Sequence, residues 1–399
     1  MTRGRLRKIL LAFSRLYAYV ACVGLSTAFL LVMLDALVGR RTESFSGALR
    51  SVPYYADKPW TDQFIRDQDQ IGSSRVRYAP FTVWSRPPYQ SETVNVNFEG
   101  LRVVPNTDCG EASLRVWFFG GSTMWGTNSP DWGTIPGQFQ TLAAKDLRVP
   151  LCVRNFGESA WVSTQSVIAL IQQLQRGNVP DCVVFYHGAN DLLWAFGNSQ
   201  PYRHAEYQQI ASKFDRTGRG RGRQSPVRRD PADLLAFVAP AIKARWDKAR
   251  ASAEWPQDDS PEALSRLARE TVDVCLANHR IVLALAKEHG FTAHFFWQPY
   301  LIYDRKPLAP GEQEMLQRSQ RWVTTFRIFA AAANVHVAAN VGPQFTDLSD
   351  CFIGVQGQLY TDIGHVTPEA NELVARDILK VIRPCLTDSA RRPVTRQEE

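Results

Sequence analysis

Ser122 follows two glycines, Gly120 and Gly121, at the end of the apolar run Leu114-Arg-Val-Trp-Phe-Phe119. A serine hydroxyl so placed can attack a carbonyl carbon if a base lies within hydrogen-bond reach and that base has a partner on its other nitrogen. Three later segments also set polar groups beside glycine: Asn155-Phe-Gly157, Gly188-Ala-Asn190-Asp191 and Asp362-Ile-Gly-His365. Taken singly, each has a structural reading. Gly-Gly-Ser is ordinary loop chemistry, Asn190 and Asp191 would cap a helix, Asp362 would hold a loop, and His365 would be a satisfied surface histidine. Taken together, they supply the residue types that a covalent acyl-transfer site requires.

The elements that must hold these groups alternate between strand and helix. Leu114–Phe119, 149–155 and 180–187 read as buried parallel strands, each running into one of the polar segments. Helices are expected over 134–145 and from Ser163 or Thr164, as N-cap, to Gly177, with Val167, Leu170, Ile171 and Leu174 on one face. Further on, a helix over 262–289, a strand over 291–297 ending at Gln298, a helix near 311–333 and a last strand Val335–Ala339 complete a five-stranded sheet. Thr367 then caps a carboxy-terminal helix. Alternation of this kind predicts a three-layer α/β/α domain over 111–386 with a parallel sheet, whose ligands bind at the strands' carboxyl ends. Residues 42–110 are rich in Tyr, Trp and Pro and read as a lead segment with a short hairpin at 93–98, covering a sheet edge. The strand and helix pattern breaks over 198–261, where Phe214–Asp230 is an Arg-Gly-rich insertion, and 387–399 is a polar tail.

Leu16–Val38 is close to the ~20 apolar residues that a bilayer-spanning helix needs. Arg3, Arg5, Arg7, Lys8 and Arg15 precede it, against Arg40 and Arg41 after it, so a single-pass inner-membrane anchor is expected, with residues 1–41 as basic tail and span. The amino terminus would be cytoplasmic and the rest extracytoplasmic; a cleaved signal peptide is the competing reading. The formal charge of +7 and pI near 9.1 arise largely from the tail and the insertion. Outside a membrane the insertion is read as a solvated loop that contacts anionic glycan or lipid headgroups, with no nucleic-acid partner. In such a compartment Cys109–Cys152 and Cys351–Cys385 are expected disulfides, while Cys182 and Cys275 behave as small apolar residues. No helical His pair or carboxylate cluster indicates a metal, and no cofactor is expected.

The four segments, in this order, resemble the sequence blocks of the SGNH hydrolases, also called GDSL esterases, over about residues 112–385. The resemblance implies a flavodoxin-like sheet, with Ser122 as nucleophile, His365 as general base and Asp362 as the carboxylate orienting the imidazole. It also implies an oxyanion hole made by the Ser122 N–H, the Gly157 N–H and the Asn190 side-chain amide. Gly121 stands where the family name implies aspartate, and Ala160 where a second block-two glycine is often found. The lipase elbow Gly-x-Ser-x-Gly is broken by Met124. Gly121, His187 and Gln298 are expected pocket residues. The implied activity is hydrolysis of a short acyl ester, such as O-acetyl, on an extracytoplasmic glycan or small molecule. O-acyl transfer by the same triad and a non-catalytic envelope scaffold stay open as alternatives.

Overall fold

The computed structural model describes residues 3–41, 47–74, 76–147, 149–218, 239, 242, 256–303, 305–317 and 320–389. The chain forms two compact units, Met1–Phe45 with Ser212–Glu254, and Ser46–Ala211 with Trp255–Glu399. In the first unit, helix α1 (Arg3–Arg41) contains a 23-residue stretch, Ser14–Ala36, long and apolar enough to cross a membrane. Asp35 near its end accepts a hydrogen bond from the Ile242 N–H at 2.8 Å. The basic run 219–230 and the tail 390–399 lie outside the described residues.

The second unit opens with α2 (Pro53–Ala56), α3 (Thr61–Ser73) and a hairpin of β1 (Arg77–Ala79) and β2 (Val83–Ser85). The α/β alternation follows: β3 (Leu114–Gly120), α4 (Ser122–Trp125), α5 (Ile135–Asp146), β4 (Leu151–Asn155), α6 (Ser163–Gln175), β5 (Cys182–His187) and α7 (Ala189–Asn198). Beyond α8 (Tyr207–Gly218) come α9 (Pro261–His289), β6 (Thr292–Trp297), α10 (Pro310–Gln317), α11 (Gln320–Ala338), β7 (Phe345–Asp347) and α12 (Pro368–Ser389). The main sheet is five-stranded and parallel, in the order β4-β3-β5-β6-β7.

Alternate residues of each central strand supply the two faces of this sheet. Val116, Phe118, Val184 and Tyr186 pack against α5 and α12; Trp117, Phe119, Val183 and Phe185 pack against α6, α9 and α11. Because α5 leads from β3 to one neighbour and α6 crosses to the other, the strand order reverses about β3. Such a switch point opens a crevice at the carboxyl ends of β3 and β5. The pairing of Gly120 with Tyr186 sets Ser122 and Gly188 side by side there.

Several local expectations are corrected. Val335–Ala338 belongs to α11 and not to a strand. Val323, Phe326, Ala330, Ala333 and Val337 are buried at helical spacing, while Val335 is exposed and His336 pairs with Asp273 at 2.7 Å. A Val-His-Val alternation is too short to separate a strand from a helix end, and the fifth strand is Phe345–Asp347. The single helix expected at 311–333 is two helices, α10 and α11. The lead segment's hairpin lies at 77–85, whereas residues 89–102 form only isolated bridges, including Arg102 with Asn155. Ser163 is the first residue of α6 and not its cap. Its hydroxyl donates to Asp191 at 2.6 Å. Cys109 and Cys152 are disulfide-bonded. Cys351 and Cys385 are not bonded to each other; Cys385 Sγ lies 3.2 Å from His294 Nε2.

Candidate active site

Ser122 begins the single turn of α4, which Gly126 ends in the left-handed conformation, φ 95°. A first-turn N–H has no partner within its helix, and the Ser122 N–H meets no acceptor among the described residues. The Ser122 hydroxyl donates to His365 Nε2 at 2.7 Å, and His365 Nδ1 donates to Asp362 Oδ2 at 2.7 Å. Asp362 Oδ1 also accepts the backbone N–H groups of Gly364 (2.9 Å) and His365 (2.8 Å), so one carboxylate both folds the loop and fixes the imidazole tautomer. The loop is anchored from below by Glu312, whose Oε1 accepts the Leu359 and Tyr360 N–H groups while Oε2 pairs with the fully buried Lys306 at 2.6 Å.

The electrostatics of the trio are mutually reinforcing. Burial alone would draw His365 down, but the charge of Asp362 and the hydrogen bond to it prevail and hold the imidazole above its usual range. For Asp362, burial favours the neutral acid. The His365 charge, its hydrogen bond and the two backbone N–H groups outweigh this and depress the carboxyl.

Asn190, in the first turn of α7, donates through Nδ2 to the Trp161 carbonyl at 2.9 Å. A Cβ on Gly121 would come within 2.2 Å of that same nitrogen, so glycine next to the serine is what allows the amide to lie over the site. Gly157 serves differently from expectation. Its N–H donates to Asn155 Oδ1 at 2.9 Å, and Asn155 Nδ2 donates to the Met124 carbonyl at 2.9 Å. A Cβ on Gly157 would meet Trp125 N at 2.4 Å, so this glycine lets β4's end pack under the backbone of α4. Ala160, read in the sequence only as a replaced glycine, keeps a backbone conformation that favours glycine. It has φ 63°, a value that glycine occupies more readily, and its N–H has no acceptor among the described residues.

The other expected pocket residues divide. Gln298 places Oε1 3.4 Å from Thr123 Oγ1 and lines a small cavity with Gly188, Trp297 and Tyr300. His187 does not line it. As the last residue of β5 it falls on the α6 and α9 side, buried with Nδ1 3.8 Å from Asp191 Oδ2, and burial holds it below the ordinary imidazole range. Asp191 likewise fastens α7 to α6, accepting from the Ser163 N–H and hydroxyl. Among the described residues no group of three or more His, Cys, Asp or Glu is placed to hold a metal ion.

The lead segment grips the turn that carries Ser122. Trp125 is 1% exposed and belongs to the lead segment's own core, with Tyr55, Phe64, Ile71, Val94 and Val96. The guanidinium groups of Arg86 and Arg102 lie 4.3 and 4.5 Å from its ring centre. Arg102 is paired with Asp131 at 2.5 Å, and Arg86 with Glu158 at 3.2 Å, all four buried. Tyr55 donates its hydroxyl to the Asn128 carbonyl (2.5 Å), and Asn128 Nδ2 donates to Thr361 Oγ1 (2.8 Å), next to Asp362. The lead segment thus packs on the Ser122 turn directly and reaches the Asp362 loop through Asn128. The motif Asn97-Phe-Glu-Gly-Leu-Arg102 was the available signal.

No family model matches the chain, and no curated protein matches it. Solved structures do. A lipase, Lip_vut3, from a goat rumen metagenome is 12% identical over 67% of this chain and 97% of its own, with a TM-score of 0.37. The acetyl xylan esterase AlAXEase is 14% identical over 67% and 100%, TM-score 0.34. A lipolytic protein of the G-D-S-L family from Desulfitobacterium hafniense DCB-2, described as putative, is 10% identical over 67% and 99%, TM-score 0.30.

Proposed function

We propose that this chain is a serine ester hydrolase of SGNH type. The observation that carries the reading is the continuous hydrogen-bonded row Ser122–His365–Asp362 at the sheet's switch point. His365 Nε2 takes the hydroxyl proton as Ser122 Oγ bonds to the ester carbonyl carbon. Asp362 stabilises the imidazolium, which then protonates the departing alcohol as the C–O bond breaks. Water, deprotonated by the same nitrogen, attacks the acyl-serine; the acid leaves and Ser122 recovers its proton. The oxyanion is held by the Ser122 N–H and Asn190 Nδ2, with the Ala160 N–H as third donor in place of Gly157.

Short acyl groups on an extracytoplasmic substrate fit the remaining features. The helix Ser14–Ala36 supports a single-pass anchor, the basic residues ahead of it an orientation with 42–399 outside, and the Cys109–Cys152 bridge an oxidising compartment. In this reading 111–386 is the catalytic domain, interrupted near 198–261, and 42–110 its lead. Amino-terminal sequencing of the mature protein separates an anchor from a cleaved signal.

The test is fluorophosphonate labelling of the full chain in detergent, with hydrolysis of p-nitrophenyl acetate, beside Ser122→Ala and His365→Ala. Labelling and turnover lost in both variants support the reading; a folded wild-type chain that neither labels nor hydrolyses the ester overturns it. Turnover that depends on an added sugar acceptor would assign transfer instead of hydrolysis.

A further inference from the structure

A cleft of about 390 Å³ lies between the lead segment, the residues that follow β4 and α6. It is within the ~300–1,000 Å³ typical of small-molecule sites. Phe156 and Trp161, both more than nine-tenths buried, border it; Thr82 and Ser85 stand on the lead-segment side, and Gln172 and Gln173 on the helix side. Trp161 joins the cleft to the chemistry, because its carbonyl fastens the Asn190 amide. Its indole Nε1 is buried and has no hydrogen-bond partner among the described residues, in a side chain that is only 7% exposed. An orphaned donor of this kind is destabilising unless something accepts from it.

The free valences of the cleft are those of amides and hydroxyls. Gln172 uses its Nε2 on the Pro80 carbonyl (3.0 Å), leaving Oε1; Gln173 uses its Oε1 on Asn178 (3.0 Å), leaving Nε2. Glu99 is paired with Arg154, and the exposed Arg176 is the lone cation in the lining. A phosphate group would call for clustered arginines, and a lipid chain for apolar walls. Neutral hydroxyls call for what is present. At about 1.5 Å per residue, α6 runs roughly 15 Å from Ser163 to Gln173 along the cleft, farther than a short acyl group reaches.

We propose that this cleft binds a neutral glycan segment of at least disaccharide size, whose O-acyl substituent extends to Ser122. The inference rests on the esterase reading and names its substrate class. Binding along α6 would supply the remote interaction that holds the ester in place.

The experiment uses the full chain in detergent with mono-O-acetylated xylobiose, cellobiose and N,N′-diacetylchitobiose as probes, against p-nitrophenyl acetate as a substrate too small for the cleft. Gln172→Ala/Gln173→Ala and the single Gln173→Ala variant place a good helix former on a partly exposed face. Expected is a drop of at least tenfold in kcat/KM for one or more acetylated disaccharides in the double variant, with p-nitrophenyl acetate unchanged within twofold. Unchanged disaccharide constants overturn the proposal, as does a wild-type chain that hydrolyses p-nitrophenyl acetate and none of the three sugars. The disaccharides without O-acetyl groups are also titrated calorimetrically into Ser122→Ala. Binding there by a chain whose wild type is inert to every ester retains the cleft and overturns the esterase; no binding to any of them, beside an active wild type, does the reverse.

Discussion

Replacing Gly121 with alanine tests the geometry of the proposed oxyanion hole with one methyl group. The added Cβ would stand 2.2 Å from Asn190 Nδ2, where ordinary contact begins at 3.4 Å, so the amide nitrogen must retreat by about 1.2 Å. It is the tip of a side chain and can do so. Gly121 itself has φ −84° and ψ −153°, extended backbone that alanine adopts without strain. The loss of the Asn190–Trp161 hydrogen bond costs about 0.5–1.5 kcal/mol, and the lower entropy of an unfolded chain bearing alanine returns about 0.4–1 kcal/mol. Stability should therefore change by less than about 1 kcal/mol. Catalysis should not escape so lightly, since removing one oxyanion donor lowers kcat by about 10²–10³, or ~2.7–4 kcal/mol of transition-state stabilisation. The assay is kcat for p-nitrophenyl acetate together with urea denaturation, for Gly121→Ala, Asn190→Ala and the double variant. Both single changes remove the same donor, so the double variant should be no slower than the slower single one. A Gly121→Ala enzyme within threefold of wild type, or a double variant whose losses multiply, refutes the argument.

Three other expectations follow from named contacts. His365 must be neutral to act as base and is held above its ordinary range, so kcat/KM should rise with pH through an apparent pKa above 6.5. In Asp362→Asn burial remains without the opposing charge, so that limb should move to lower pH while kcat falls by about 10⁴, as a pH–rate profile would show. Truncating Arg102→Ala leaves Asp131 buried without its cation and removes one side of the Trp125 sandwich; urea midpoints should report a loss of about 3–5 kcal/mol. Opening the Cys109–Cys152 bridge, which spans 43 residues, by Cys109→Ser should lower stability by about 4 kcal/mol on the chain-entropy model, seen as equal denaturation midpoints with and without reductant in the variant alone.

The alternation of strands and helices as far as β6, the three polar segments at strand ends, the Asp362–His365 segment before the last helix and the Cys109–Cys152 pair were legible in the sequence. Each depends on contiguous runs: an apolar strand such as 182–187, a helical repeat such as Val167, Leu170 and Leu174, a glycine where the chain must turn. The cleft and the lead segment's role were not. Whether 335–338 is strand or helix depends on which face finds a partner, and α9 supplied the helical answer. Gly157 and Ala160 are three residues apart, and only the packing of α4 against Gly157 and the left-handed turn at Ala160 distinguish their N–H groups. Trp125 looks like any core aromatic until two arginines from residues 86 and 102 close on it. The sequence by itself determined which groups stand at the ends of strands, because backbone preference and apolar periodicity are local. Tertiary structure alone decided that the end of β3 meets the loop before α12, since Ser122 and His365 are 243 residues apart and are brought together only by the packing of the sheet and its helices, which is set by the burial of both sheet faces.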